Sequence, residues 1–172
     1  MIVLGIDPGF SVTGFAIIKH EGGKANLIDY GFLKMSPTKG LPERVGIFHA
    51  LFLEKIQKFA VTDIALETPF LGKNTQTFLK LGYLRGIVYL LSDTYKTALH
   101  ELSPSEVKLA VTGSGGAQKE QVARVVYRLF PTVGVVQKAD VTDAIAISLC
   151  GLWKGKQSNS LTQQYLKKML TK

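Results

Sequence analysis

Four carboxylates stand where the sequence would support metal chemistry. Asp7 ends the apolar run "IVLGI" and is followed at once by Pro8-Gly9. Glu67 ends a second apolar run, "VTDIALET", which Pro69 closes. Asp140 and Asp143 lie three residues apart in "KADVTDAIAIS", so on a helix they share a face. In the first turn of that helix the macrodipole favours negative charge. Buried together without a cation, such acids repel one another and resist ionisation. Hard divalent ions such as Mg²⁺ take oxygen ligands of this kind. Two such ions about 3.5–4 Å apart would stabilise both the attacking and the leaving oxygen in phosphodiester hydrolysis. Each acid also has a plain structural explanation. Asp7 suits a turn, Glu67 a solvated strand end, Asp140 a helix cap and Asp143 a polar helix face. Convergence of all four from apolar elements is what favours metal binding. His20, His49 and His100 are scattered and form no zinc cluster.

The elements that must carry these acids follow from periodicity. "IVLGID" is nearly continuous apolar sequence, as in a strand buried on both faces. "VTGFAIIKH" and "ANLIDYGFLKM" read as two more strands, joined by the Gly22-Gly23 turn. Val45, Phe48, Phe52, Ile56 and Phe59 recur at helical steps, predicting a helix from Pro42 to Phe59. "VTDIALET" is the fourth strand. A helix from Thr75 to Asp93 places Phe78, Leu81, Leu84, Val88 and Leu91 on one stripe. Gly82 and Gly86 inside it weaken the helix and suit close approach by another element, such as a second subunit. "TALHEL" is the fifth strand. Ser103-Pro104 then reads as a cap with proline at the first helical position. Further helices are predicted from Lys119 to Phe130 and from Ala139 to Trp153, with a frayed polar tail beyond. The order β-β-β-α-β-α-β-α-α-α implies a mixed sheet covered by helices. Domain organisation reads as one body, 1–153, and a basic tail, 154–172.

Composition narrows the function classes. The 172 residues are 46% hydrophobic, enough for one domain with a real core. No apolar run approaches the roughly 18 residues of a membrane span, and no secretory signal is expected. The lone Cys150 cannot form an internal disulfide, which favours a reducing compartment, with cytoplasm the default. The net charge of +8 invites a polyanion. Five lysines and no acid follow from Lys154 onward, so the body itself carries only +3. Basicity is therefore mild support for nucleic acid.

Four stretches in order carry a resemblance: "GIDPGFSVTGFAII", "IALETPFLGKN", "SEVKLAVTGSGGAQKEQV" and "KADVTDAIAIS". From about Ile2 to Leu152 the chain resembles the RuvC family of bacterial Holliday-junction resolvases. The resemblance implies an α/β, ribonuclease-H-like fold with a mixed five-stranded sheet flanked by helices. It places the family acids on Asp7, Glu67, Asp140 and Asp143, holding two Mg²⁺ per active site, with Mn²⁺ a possible substitute. Some members carry histidine where this chain has Asp143. Lys108 and Lys119 match family lysines near the scissile phosphate, where a cation stabilises developing charge; on their own they are ordinary solvated lysines. Lys119 is counted with the catalytic residues.

DNA contacts are expected from the segment after Glu67. Phe70 alone reads as a core residue or as a platform for an unpaired base; the resemblance places it at the junction centre. Lys73 and Asn74 could meet phosphates, and Arg85 is a weaker candidate. The glycines of "TGSGGAQK" lack phosphate-loop spacing and suit a loop against DNA. The resemblance further implies a homodimer that makes paired symmetric nicks in four-way junction DNA during homologous recombination and repair. It also implies cooperation with the RuvA–RuvB branch-migration complex. Two other readings stay open: an actin-like nucleotide binder, which 172 residues hardly accommodate, and a junction binder without catalysis or a related RNA nuclease.

Overall fold

The apolar run at the N-terminus becomes the middle strand of a five-stranded sheet. A computed structural model describes residues 1–69, 75–133 and 139–170. The strands are β1 (Ile2–Asp7), β2 (Val12–Glu21), β3 (Lys24–Lys34), β4 (Asp63–Glu67) and β5 (Ala98–Leu102). The helices are α1 (Leu41–Phe59), α2 (Thr75–Tyr95), α3 (Pro104–Thr112), α4 (Lys119–Leu129) and α5 (Ala139–Leu170). Their order is the predicted one, with a 3₁₀ turn, Pro131–Val133, added among the described residues. Across the sheet the strands run β3-β2-β1-β4-β5. The first three pair antiparallel, while β1, β4 and β5 are mutually parallel neighbours. This mixed sheet, flanked by helices, is a ribonuclease-H-like fold.

Side chains alternate across a strand, so each strand feeds two cores. Leu4 and Ile6 of β1, with Ile64 and Leu66 of β4, pack under Phe48, Phe52 and Ile56 of α1 and Leu84, Val88 and Leu91 of α2. Burying each such side chain contributes about 1.5–3 kcal/mol. Val3 and Ala65 face the other way, toward Val107, Val122, Val141 and Ile145 of the later helices. Asp7 and Glu67 have the parity of Val3 and Ala65 and therefore face that second layer.

Helix α5 crosses this layer diagonally and close to the backbone. A Cβ on Gly5 would lie 2.5 Å from the Ala144 carbonyl oxygen, so only glycine lets the helix sit so low. Ser148 Oγ donates to the Val3 carbonyl at 3.0 Å, and Gly151 rests on Ala65 of β4. Lower still, Gly155 packs beside the Asp63–His100 pair, whose Oδ1 and Nε2 are 2.9 Å apart.

One expectation is corrected. The last helix does not stop at Trp153 but continues to Leu170, since no proline or other strong breaker follows. It crosses the 153/154 boundary without a break. The apolar stripe of α2 is buried only in its C-terminal half. Of that stripe Phe78 is exposed, and Leu79, Tyr83, Tyr89 and Leu90, which lie on other faces of the helix, are exposed as well. No helix among the described residues is long and apolar enough to cross a membrane.

Candidate active site

The site is built at the C-terminal end of two parallel strands. In the β1–β4 register Ile6 stands opposite Leu66, so Asp7 and Glu67, one step further, are side by side. The turn after Asp7 is pinned by buried Thr13: its Oγ1 donates to the Gly9 carbonyl at 2.8 Å and accepts from the Gly9 amide at 3.2 Å.

The second pair of acids arrives on α5. Asp7 pairs with Gly14 in the β1–β2 ladder. Over Gly14 lies the main chain of Asp140, so close that a Cβ there would be 1.9 Å from the Asp140 carbonyl oxygen. The missing side chain thus seats the first turn of α5 beside Asp7. One helical turn on, Asp143 faces Glu67 across a cleft of about 150 Å³, lined also by Lys108, Lys119 and Val122. Lys108 comes from α3, whose start is fixed by Ser103 and Glu106 in a reciprocal capping box. Lys119 is the first residue of α4, and its Nζ donates to Asp143 Oδ2 at 2.7 Å.

The electrostatics are those of a crowded carboxylate site. Burial, reinforced by Glu67, Asp143 and Asp140, pushes Asp7 up to about 7, against a smaller opposing pull from Lys119. Glu67 is also raised, by burial first and by Asp143, while Lys119 and Lys108 draw it back. Bonding to Asp143 raises Lys119. Among the described residues no group of three or more carboxylate, histidine or cysteine side chains is drawn close enough together to hold a metal ion as it stands. The donor chemistry nonetheless fits a hard cation: acids that disfavour each other's charge, all oxygen ligands, and no soft donor among them.

The model of the crossover junction endodeoxyribonuclease RuvC family matches residues 3–151. The chain belongs to the RuvC family. A RuvC of Pelodictyon phaeoclathratiforme is 43% identical over 155 residues, covering 90% of this chain and 81% of the relative. One from Chlorobium chlorochromatii is 41% identical over 160 residues, covering 93% and 83%. Among solved structures, Thermus thermophilus RuvC in complex with a Holliday junction substrate superposes with a TM-score of 0.85 at 30% identity. That match covers 92% of this chain and 96% of the other. RuvC membership makes the chain a nuclease of divalent-metal-dependent type.

Six expected residues, Asp7, Glu67, Lys108, Lys119, Asp140 and Asp143, lie together around the C-terminal ends of β1 and β4. Phe70, Lys73 and Asn74 lie outside the described residues. Arg85 is a correction: it is only 7% exposed and bonds the Glu67 main chain, so it is no DNA contact. Sequence reading missed Thr13, Gly14 and a second buried arginine, Arg44, which donates to the Phe10 carbonyl and stacks on the Phe10 ring at 3.9 Å. Gly14 could have been suspected from its place opposite Asp7, whereas the buried arginines leave no local pattern.

Proposed function

We propose that this chain nicks four-way DNA junctions in symmetric pairs, by metal-assisted phosphodiester hydrolysis, in recombination and repair. The observation that carries this reading is the approach of Asp7, Glu67, Asp140 and Asp143, from β1, β4 and α5, to one another at the C-terminal ends of two central strands. Asp7, Glu67, Asp140 and Asp143 would hold two Mg²⁺, with Mn²⁺ as a substitute. When bound, these ions supply a nucleophile at neutral pH and charge neutralisation at the leaving 3′ oxygen. The chain's own residues do the rest. Lys119 and Lys108, on the cleft walls, orient the scissile phosphate and offset its developing charge. Phe70, Lys73 and Asn74 are assigned to the DNA beside them, Phe70 by stacking.

The active form is read as a homodimer, since a two-fold protein suits a junction of approximate two-fold symmetry. Its contact is assigned to α2, where Leu79 and Leu90 are 57% and 56% exposed. On the same helix Gly82 and Gly86 have open space where a side chain would be. Junctions would be handed to it by the RuvA–RuvB branch-migration complex in the cytoplasm.

The test is cleavage of a synthetic four-way junction beside matched duplex and an RNA hairpin, with Mg²⁺ or with EDTA. Paired nicks confined to the junction and lost in EDTA are expected. Equal cutting of duplex or RNA, or nicking that survives EDTA, would refute the reading.

A further inference from the structure

We infer that Arg85 is a positioning residue for the metal site, fixing the main chain under Glu67 from the opposite face of the sheet. The inference rests on reading Glu67 as a metal ligand. Helix α2 lies in the layer away from the acids, yet one of its side chains reaches the strand end that carries Glu67. Arg85 Nη1 donates to the Glu67 main-chain carbonyl at 2.7 Å. Its Nη2 donates to Tyr89 Oη at 2.6 Å and to the Glu101 carboxylate of β5. Tyr89 Oη donates to the same carboxylate at 2.7 Å. Glu101 stands opposite Leu66 in the β4–β5 register, so the guanidinium ties α2, β4 and β5 together one residue from the proposed ligand.

This placement has a structural logic. A guanidinium is costly to strip of water unless its N–H groups find partners. Here that cost is met at the point where β4 stops pairing and the chain turns toward Pro69. Across the same peptide bond, the Thr68 amide donates to the Leu102 carbonyl at 2.8 Å. The peptide unit after Glu67 is thus held at its carbonyl by Arg85 and at its amide by β5. Such fixation sets where the Glu67 carboxylate emerges on the far face. Arg85 touches the carbonyl and not the carboxylate, so it supplies geometry. A lysine cannot span a carbonyl and a carboxylate with one ammonium as the planar fork does.

The experiment compares wild type, Arg85→Lys and Glu101→Gln. It records Mn²⁺ binding to the junction-free protein by calorimetry, the metal dependence of single-turnover nicking, junction affinity in EDTA, and melting temperature. Arg85→Lys is expected to weaken metal binding roughly tenfold, as loss of an outer partner of a ligand does. The metal concentration for half-maximal nicking should rise in parallel, with junction affinity unchanged. Glu101→Gln keeps the guanidinium but weakens its anchor, and should shift both metal readouts the same way, by less. If Arg85→Lys fails to fold, Glu101→Gln decides the matter. Metal binding and half-saturation equal to wild type in the folded variant, with activity lost only in step with melting temperature, would overturn the positioning role. A wild type that binds no metal would overturn the site reading itself.

Discussion

Asp7 holds its proton unusually tightly, and the consequence reaches beyond catalysis. Burial and three neighbouring acids carry its pKa from 3.8 to about 7. Between those values the folded protein keeps a proton that the unfolded chain has already released. Stability of the metal-free protein therefore falls as pH rises across that window, and the loss is complete above it. Melting in EDTA at pH 5 and pH 8 should show the higher midpoint at pH 5. Asp7→Asn removes the titrating group. It should flatten this difference, raise the pH 8 midpoint of the metal-free protein, abolish nicking and leave junction binding intact. A variant that nicks at the wild-type rate would end the assignment of Asp7 as a ligand.

At the scale of elements, the site depends on how closely α5 approaches the sheet. Gly14→Ala places a methyl 1.9 Å from the Asp140 carbonyl oxygen, so the first turn of the helix must lift. A stability loss of about 1–3 kcal/mol is expected, with nicking reduced well beyond the loss in folded fraction. Gly22→Asn is the control: Gly22 sits at φ +56° in the hairpin with no neighbour within 4 Å, and asparagine tolerates that region. Denaturant melts and junction assays on both variants separate the two outcomes. The same elements show what sequence could reveal. Strand parity and helical period are local, so β1 to β5, the start of each helix and the acids at their ends were readable. The seating of Asp140 on Gly14 and the bonds of Arg85 and Arg44 join residues far apart in the chain. No local periodicity encodes them. The length of α5 was missed for another reason: Ser158, Asn159 and Ser160 look like a frayed end, yet none of them breaks a helix as proline would.

For the whole molecule, α2 carries an exposed apolar face beside its buried one. Leu79, Tyr83 and Leu90 are exposed along one helix, the kind of apolar surface that marks an interaction site. Replacing Leu79 and Leu90 together by glutamate should convert a dimer to a monomer in sedimentation. These positions lie outside the acid cluster, so the fold and metal binding should survive, while paired nicks give way to slow single nicks. A wild type that sediments as a monomer at micromolar concentration would place the dimer contact elsewhere or remove it.

Helix α5 also sets a phase relation between the two ends of the molecule. Its acids sit in the opening turns, while its grip on the sheet runs on through Ser148 to Gly151 and Gly155. One inserted residue advances a helix by 1.5 Å and rotates it by about 100°. An alanine inserted between Asp143 and Gly151 would therefore leave either the acids or the grip out of step with the strands. The same insertion after Lys156 would leave that phase untouched. Activity should be lost in the first variant and kept in the second, although both contain the same added residue in the same helix. The timing of the site is thus written into the count of residues between its acids and its anchor.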